Sequence, residues 1–202
     1  QARGIVERAR SQVAALAGVE PDRVVFTAGA AEAAALAAAN LGPLVCAPVE
    51  HDCVLAHAEP VLPVDACGRV SAAADGDVAI QRANSETGVL QPAPDVPVAL
   101  EDAAQAAGRI GWRFDAARAA FAMLSAHKLG GPKGAGALIV APGRDVTALL
   151  PGGGQEQGRR AGTEAVALIA GFGAAAEAAR MRLDDWAATA NLRDRLEASL
   201  AE

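Results

Sequence analysis

The stretch Val24-Val25-Phe26-Thr27-Ala28-Gly29, running on through an alanine-rich segment to Leu41, is the one on which the fold turns. A β-branched and aromatic run reads as a strand, Gly29 as a tight turn, and the alanines as a helix, which together make one β-α unit. Upstream, Ile5, Val6, Ala9, Val13 and Leu16 recur at helical spacing within residues 3–16, and Gly18 follows as a stop. Downstream the pattern repeats: strands are expected at 44–47, 61–64 and 77–81, with a short helix at 50–58, and further strands at 98–101, 121–125 and 135–140. Strands alternating with helices predict an α/β protein with a largely parallel sheet. Residues 163–200 are helical in pattern but interrupted by Gly171 and Gly173, which predicts one kinked helix or two. The Pro-rich stretch 91–97 reads as a loop rather than a domain linker.

With 202 residues, 52% of them hydrophobic, the chain can bury a sizeable core and reads as one domain. A net charge of -6, a pI near 5.1 and 3% aromatic residues supply neither a basic stripe nor stacking platforms, so nucleic acid is not an expected partner. Cys46, Cys53 and Cys67 are odd in number and lack Cys-x-x-Cys spacing, which supports neither a disulfide framework nor a zinc site and fits a reducing cytoplasm. Apolar runs such as 165–176 fall short of the roughly 18 residues of a membrane span, and there is no signal-peptide pattern, so a soluble protein with no membrane partner is expected. The chain starts at Gln1 and ends within a helical pattern, from which both ends are expected to continue in something longer.

The chain's two lysines, Lys128 and Lys133, share one short segment, Ser125-Ala126-His127-Lys128-Leu129-Gly130-Gly131-Pro132-Lys133-Gly134. A chain that otherwise uses Arg for positive charge has a use for Lys where an amine must lose its proton and attack a carbonyl, which a guanidinium cannot do. Ser125 and His127 add a hydroxyl and an imidazole able to bind phosphate oxygens beside that amine. The alternative reading is a pair of ordinary loop charges beside a glycine-rich hairpin.

That segment resembles the pyridoxal-lysine segment of cysteine desulfurases of the NifS/IscS type. Further segments resemble the same family in the same order: Phe26-Thr27-Ala28-Gly29-Ala30-Ala31-Glu32-Ala33, Glu50-His51, Asn84-Ser85-Glu86-Thr87-Gly88-Val89-Leu90-Gln91-Pro92, Asp102-Ala103-Ala104-Gln105, and Gly152-Gly153-Gly154-Gln155-Glu156 continuing to Gly158-Arg159-Arg160-Ala161-Gly162-Thr163-Glu164. The resemblance implies a three-layer α/β sandwich, the large domain of the aspartate aminotransferase class, over residues 1–162. Residues 163–202 are then a helical segment leading towards a small domain.

The resemblance also implies pyridoxal 5'-phosphate as cofactor, in a Schiff base with Lys128. Asp102 would sustain the ring nitrogen's proton, and His51 would stack on the ring and assist proton transfer. Gln105 and Asn84 would lie near the ring hydroxyl, and Gly29, Ala30, Ala31, Ser125 and His127 would hold the phosphate. Thr163 would reach the phosphate of a second subunit, which implies a homodimer. As bare residues, Asp102 reads as a helix cap, His51 as a partly buried histidine, and Asn84 and Gln105 as turn or helix polar groups.

The implied reaction converts L-cysteine to L-alanine and passes sulfur to an enzyme cysteine, for assembly of iron-sulfur clusters or other sulfur cofactors with a scaffold protein as acceptor. None of the three cysteines matches the family's sulfur-accepting one. Ala28 and Ala31 stand where the family commonly has hydroxyls, and the stretches 51–84 and 84–102 are short, so trimmed connecting helices are expected. A non-catalytic remnant or scaffold of the same fold, or another class V enzyme such as a selenocysteine lyase, are the competing readings.

Overall fold

The computed structural model describes residues 1–72, 76–92 and 96–201. The first helix, α1 (Ala2–Ala17), buries Val6, Ala9, Val13, Ala14 and Ala17 along one face, and Gly18 closes it in the left-handed conformation at φ 75°, its N–H bonded to Ala14 O. The predicted β-α unit follows as β1 (Val24–Thr27) and α2 (Ala30–Ala38). Next come β2 (Leu44–Cys46), the one-turn α3 (Asp52–Leu55), β3 (Ala58–Pro60), β4 (Asp77–Gln81), β5 (Val98–Asp102), β6 (Ala119–Ser125) and β7 (Gly136–Val140). Helices α4 (Val166–Met181) and α5 (Asp185–Leu200) end the described chain.

The seven strands form one sheet in the order β1-β7-β6-β5-β4-β2-β3. Only β7 runs against its neighbours, pairing antiparallel with both β1 and β6, while the other pairs are parallel. Strands β5, β6 and β7 are buried throughout, as a parallel-type sheet covered on both faces requires. The pleat sorts their side chains. Phe26, Ala122, Leu124 and Ile139 pack in one core with Val13 of α1 and Phe172 of α4, while Val25, Phe121, Met123 and Leu138 pack in the other with Leu36 of α2. This is the expected three-layer sandwich.

Three local expectations are corrected. The strand expected at 61–64 lies earlier, at Ala58–Pro60 beside β2, and Val64 makes only an isolated bridge to Val70. Pro63 has no N–H to give a ladder, and the earlier start of β3 also cuts the expected helix 50–58 down to α3. The glycines of α4 do not break it; the chain turns after Met181 instead. A Cβ on Gly173 would lie 2.6 Å from Ala9 Cα, so this glycine lets α4 lie close against α1.

No helix appears in the described parts of the β3–β4 and β4–β5 connections, in keeping with the short stretches noted above. Buried Gln91 ties the two together, accepting from Val70 N at 2.9 Å and donating to Gly68 O at 2.8 Å. The loop expected at 91–97 lies partly outside the described residues. Among the described residues, no helix is long and apolar enough to cross a membrane.

Candidate active site

Parallel strands in an α/β sheet end at one edge, where their carboxyl ends leave a crevice. Here Gly29 follows β1, His51 follows β2, Gln81 closes β4, Asp102 closes β5 and Ser125 closes β6. Lys128 lies in a 3₁₀ turn (Ala126–Leu129) immediately after β6. They line one cavity of about 370 Å³ together with Ala30, Ala31, Cys53, Gln105, His127 and Lys133. The antiparallel β7 serves this edge too. Gly136 pairs with both Thr27 and Ser125, and a Cβ there would sit 2.6 Å from Gly29 Cα, so only glycine lets the α2 turn and the end of β6 come together.

Asp102 is 9% exposed, and its Oδ1 accepts the Ala104 N–H at 2.8 Å. Burial pushes its carboxyl up to about 6 from the ordinary 3.8, against the offsetting effects of the Ala104 N–H and of nearby His51 and Lys128. The folded state thus binds this proton more tightly than the unfolded chain. The stability Asp102 contributes is fully present below about pH 4 and is lost as pH rises through about 6. Denaturant unfolding of the cofactor-free chain and of Asp102→Asn across pH 4–7 is expected to show the wild type losing stability relative to the variant as pH rises. A difference that stays flat across that window contradicts it.

His51 caps α3, and its Nδ1 accepts the Cys53 N–H at 3.1 Å. A backbone N–H can only donate, so this bond leaves the ring's proton on Nε2 and fixes the ring plane. Cys53 Sγ lies 3.2 Å from the same nitrogen, and burial foremost pushes its thiol up to about 11. Ser125 Oγ lies 2.9 Å from His127 Nδ1, while partial burial and then the charges of Lys128 and Lys133 hold His127 below its ordinary value.

Asn84 and Thr163 stand outside the cavity. Asn84 donates to Val49 O at 3.0 Å and accepts from Glu86 N and Thr87 N at 2.8 Å each, so its side chain holds its own turn, while its neighbour Ser85 reaches the cavity. Thr163 is exposed on the loop before α4.

Several supporting groups carried no separate signal in the sequence. Glu32, in the first turn of α2, accepts the Ala28 N–H at 2.6 Å and pairs with Arg160 at 2.8 Å. Burial would raise its carboxyl, but the Arg160 hydrogen bond, the Ala28 N–H and the Arg160 charge together hold it below the usual range. Glu50, 5% exposed, accepts the Gln81 N–H at 2.8 Å through Oε1, and burial foremost pushes its carboxyl up to about 8. Arg109 donates both to Gln105 Oε1 and to the Lys128 carbonyl.

The donor set fits a phosphorylated aldehyde cofactor. An amine stands at one wall, and a buried carboxylate whose charge is costly there would be relieved by a protonated ring nitrogen. The free N–H groups opening a helix, with a hydroxyl beside them, are suited to an anion.

The family model for aminotransferase class V matches residues 1–60 and 74–202. Among curated proteins, the chain is 38% identical to the cysteine desulfurase of Frankia sp. (strain EuIK1), over 92% of this chain and 54% of that protein. It is 36% identical to cysteine desulfurase 2 of Trichormus variabilis, over 96% of this chain and 57% of that one. It therefore spans little more than half the length of these relatives. Among solved structures, a NifS-like protein superposes with a TM-score of 0.88 at 30% identity, over 99% of this chain and 65% of its own. SspA in complex with cysteine superposes at 0.79 with 32% identity, over 87% of this chain and 61% of its own. The chain thus belongs to the aminotransferase class V family, whose members use pyridoxal phosphate, and its likeness within that family is to cysteine desulfurases.

Proposed function

We propose that this chain forms the cofactor-binding body of a pyridoxal-phosphate-dependent cysteine desulfurase-like enzyme acting on L-cysteine. The observation that carries the reading is the convergence of Lys128, Asp102, His51 and the α2 turn on one cavity at the carboxyl ends of the sheet. When bound, pyridoxal phosphate supplies an electron sink for carbanion chemistry at the α-carbon of an amino acid. Lys128 Nζ would hold it covalently and move the proton at the substrate's α-carbon. Asp102 would face the ring nitrogen, and His51, its plane fixed by Cys53 N, would lie against the ring. Gly29, Ala30 and Ala31 would offer backbone N–H groups to the phosphate, with Ser125 and His127 beside them. Gln105 would face the ring hydroxyl with Asn84 behind it, and Thr163 would act across a homodimer interface.

L-cysteine as substrate is supported by the names of the relatives and by the cysteine in the SspA structure. Sulfur would pass to a cysteine other than the three present, none of which matches the family's sulfur-accepting one; in the cavity, burial pushes the Cys53 thiol up to about 11, which disfavours the thiolate. A sulfur-accepting scaffold in the cytoplasm, serving iron-sulfur cluster assembly, would be the onward partner.

A second reading, a non-catalytic remnant or scaffold, is favoured by one observation: Ala28 and Ala31, which line the cavity at the turn, stand where the family commonly has hydroxyls. Losing such a bond to a charged group weakens binding by about 1.5–3 kcal/mol. The deciding experiment is visible absorbance of the purified chain titrated with pyridoxal phosphate, followed by borohydride reduction and peptide mapping. A reduced adduct on Lys128 rather than Lys133 is expected. No adduct, or one spread over both lysines and the terminus, favours the remnant.

A further inference from the structure

We propose that Arg109 is a positioning residue that fixes which end of the Gln105 side chain faces the cavity and ties that amide to the turn carrying Lys128. The proposal rests on the reading of the cavity as the cofactor site and adds to it a residue outside the cavity wall.

Arg109 is half-buried in the irregular segment between β5 and β6. Its Nη1 donates to Gln105 Oε1, its Nη2 donates to the Lys128 carbonyl at 2.5 Å, and its guanidinium lies 5.8 Å from the centre of the Trp186 ring of α5. A guanidinium carries five N–H donors and no acceptor, so it can meet only the oxygen end of an amide. Gln105 Oε1 is thereby occupied, and Nε2 is the end left for the cavity that Gln105 lines. An unanchored glutamine presents either end, and the two ends select opposite partners. Anchored this way, the wall beside Lys128 offers a donor and suits a ligand oxygen carrying negative charge.

The second bond acts on the lysine itself. The N–H groups of Gly130 and Gly131 both go to Ala126 O, so the carbonyl of Lys128 is held from outside its own turn, by Arg109. One planar group therefore sets the relative placement of an amine and an amide donor that come from different strand ends. Lysine could not replace it fully, because a single ammonium lacks the forked geometry that spans two oxygens.

The test compares the wild type with Arg109→Met, Gln105→Ala and the double variant. In the chain without cofactor, the side-chain amide NMR signals that vanish in Gln105→Ala identify Gln105. Those signals are expected to move to the free-amide position in Arg109→Met, with hydrogen exchange of residues 126–131 accelerated about tenfold. With pyridoxal phosphate added, the pH midpoint of the visible band on Lys128 is expected to rise by about one unit in Arg109→Met, since an anionic oxygen loses a donor. In the Gln105→Ala background the same substitution should leave the midpoint where it was. Arg109→Lys is expected to be intermediate, and it carries the test if the methionine variant does not fold. Unmoved Gln105 signals in Arg109→Met, or a midpoint shift undiminished without Gln105, would overturn the proposal. If the wild type takes up no cofactor on Lys128, the reading of the cavity fails, and the NMR signals still decide the role of Arg109.

Discussion

Replacing Lys128 with alanine is expected to abolish the visible band formed with pyridoxal phosphate and the borohydride-stable adduct with it. The cavity holds two amines, Lys128 and Lys133, so the position of the adduct matters as much as its presence. Lys128 lies in a defined 3₁₀ turn closed by Gly130 at φ 90°, and its carbonyl is gripped by Arg109. Lys133 lies beyond that turn, in the stretch leading to β7. Lys133→Ala should therefore retain the adduct while Lys128→Ala loses it. Lys128→Arg should fail as completely as alanine, because a guanidinium keeps its proton and cannot attack a carbonyl. In a form of the protein that turns over, loss of the amine also removes general acid–base catalysis at the α-carbon, a factor of about 10²–10⁴. Peptide mapping of the reduced protein decides it. An adduct of undiminished yield in Lys128→Ala would move the site to Lys133 and sink the assignment.

The sheet was legible where a strand is apolar on both faces. Residues 77–81 form β4 as read, and 98–101 and 121–125 fall within β5 and β6, because a short buried run bounded by turn residues has few other fates. Gly173 misled because a glycine reads as a helix breaker until its neighbour is known, and the neighbour, Ala9, lies at the far end of the chain. The strand expected at 61–64 failed for a related reason: Val61 and Leu62 have the composition of a strand, but pairing with β2 is fixed three residues earlier.

The cavity residues came largely from family resemblance, since Asp102 or His51 alone is an ordinary cap or turn residue. The groups behind them left no local trace. Glu32 meets Arg160 across 128 residues and Arg10 meets Glu156 across 146, distances at which neither periodicity nor spacing speaks. Yet these contacts join segments that the sequence showed only as separate motifs: the α2 turn to the Arg159–Thr163 stretch, and the Gly152–Glu156 stretch to α1.

The larger stability effect is expected at Glu156. Glu156 is 3% exposed, and its carboxylate receives Arg10 Nη1 and Nη2 at 2.8 Å each and the Phe26 N–H at 2.8 Å, while Arg10 is itself 3% exposed. Glu156→Ala leaves a buried guanidinium and a buried N–H of β1 without this partner, a change that typically costs about 3–5 kcal/mol. Arg10 keeps Val24 O at 2.8 Å and the exposed Glu7, which places the expected loss at the lower end of that range. Against a total stability of roughly 5–15 kcal/mol for a domain, even the lower end is a large fraction. The backbone argues in the same direction: Glu156 and Gln157 sit at φ 50° and 60°, a left-handed conformation that is costly for non-glycine residues and that the bonds to the Glu156 carboxylate help to hold. Freed of the carboxylate, residues 155–158 should relax, and Arg160 should lose its fixed approach to Glu32. The double variant Arg10→Met/Glu156→Leu removes both charges and is expected to recover part of the loss, since a buried ion pair exchanged for packed apolar groups is close to neutral while the Phe26 N–H and Val24 O stay without these partners. Urea unfolding of the three chains measures this through the midpoint. A loss below about 1 kcal/mol in Glu156→Ala, the level of an exposed ion pair, would mean that the pair does not latch the loop to α1.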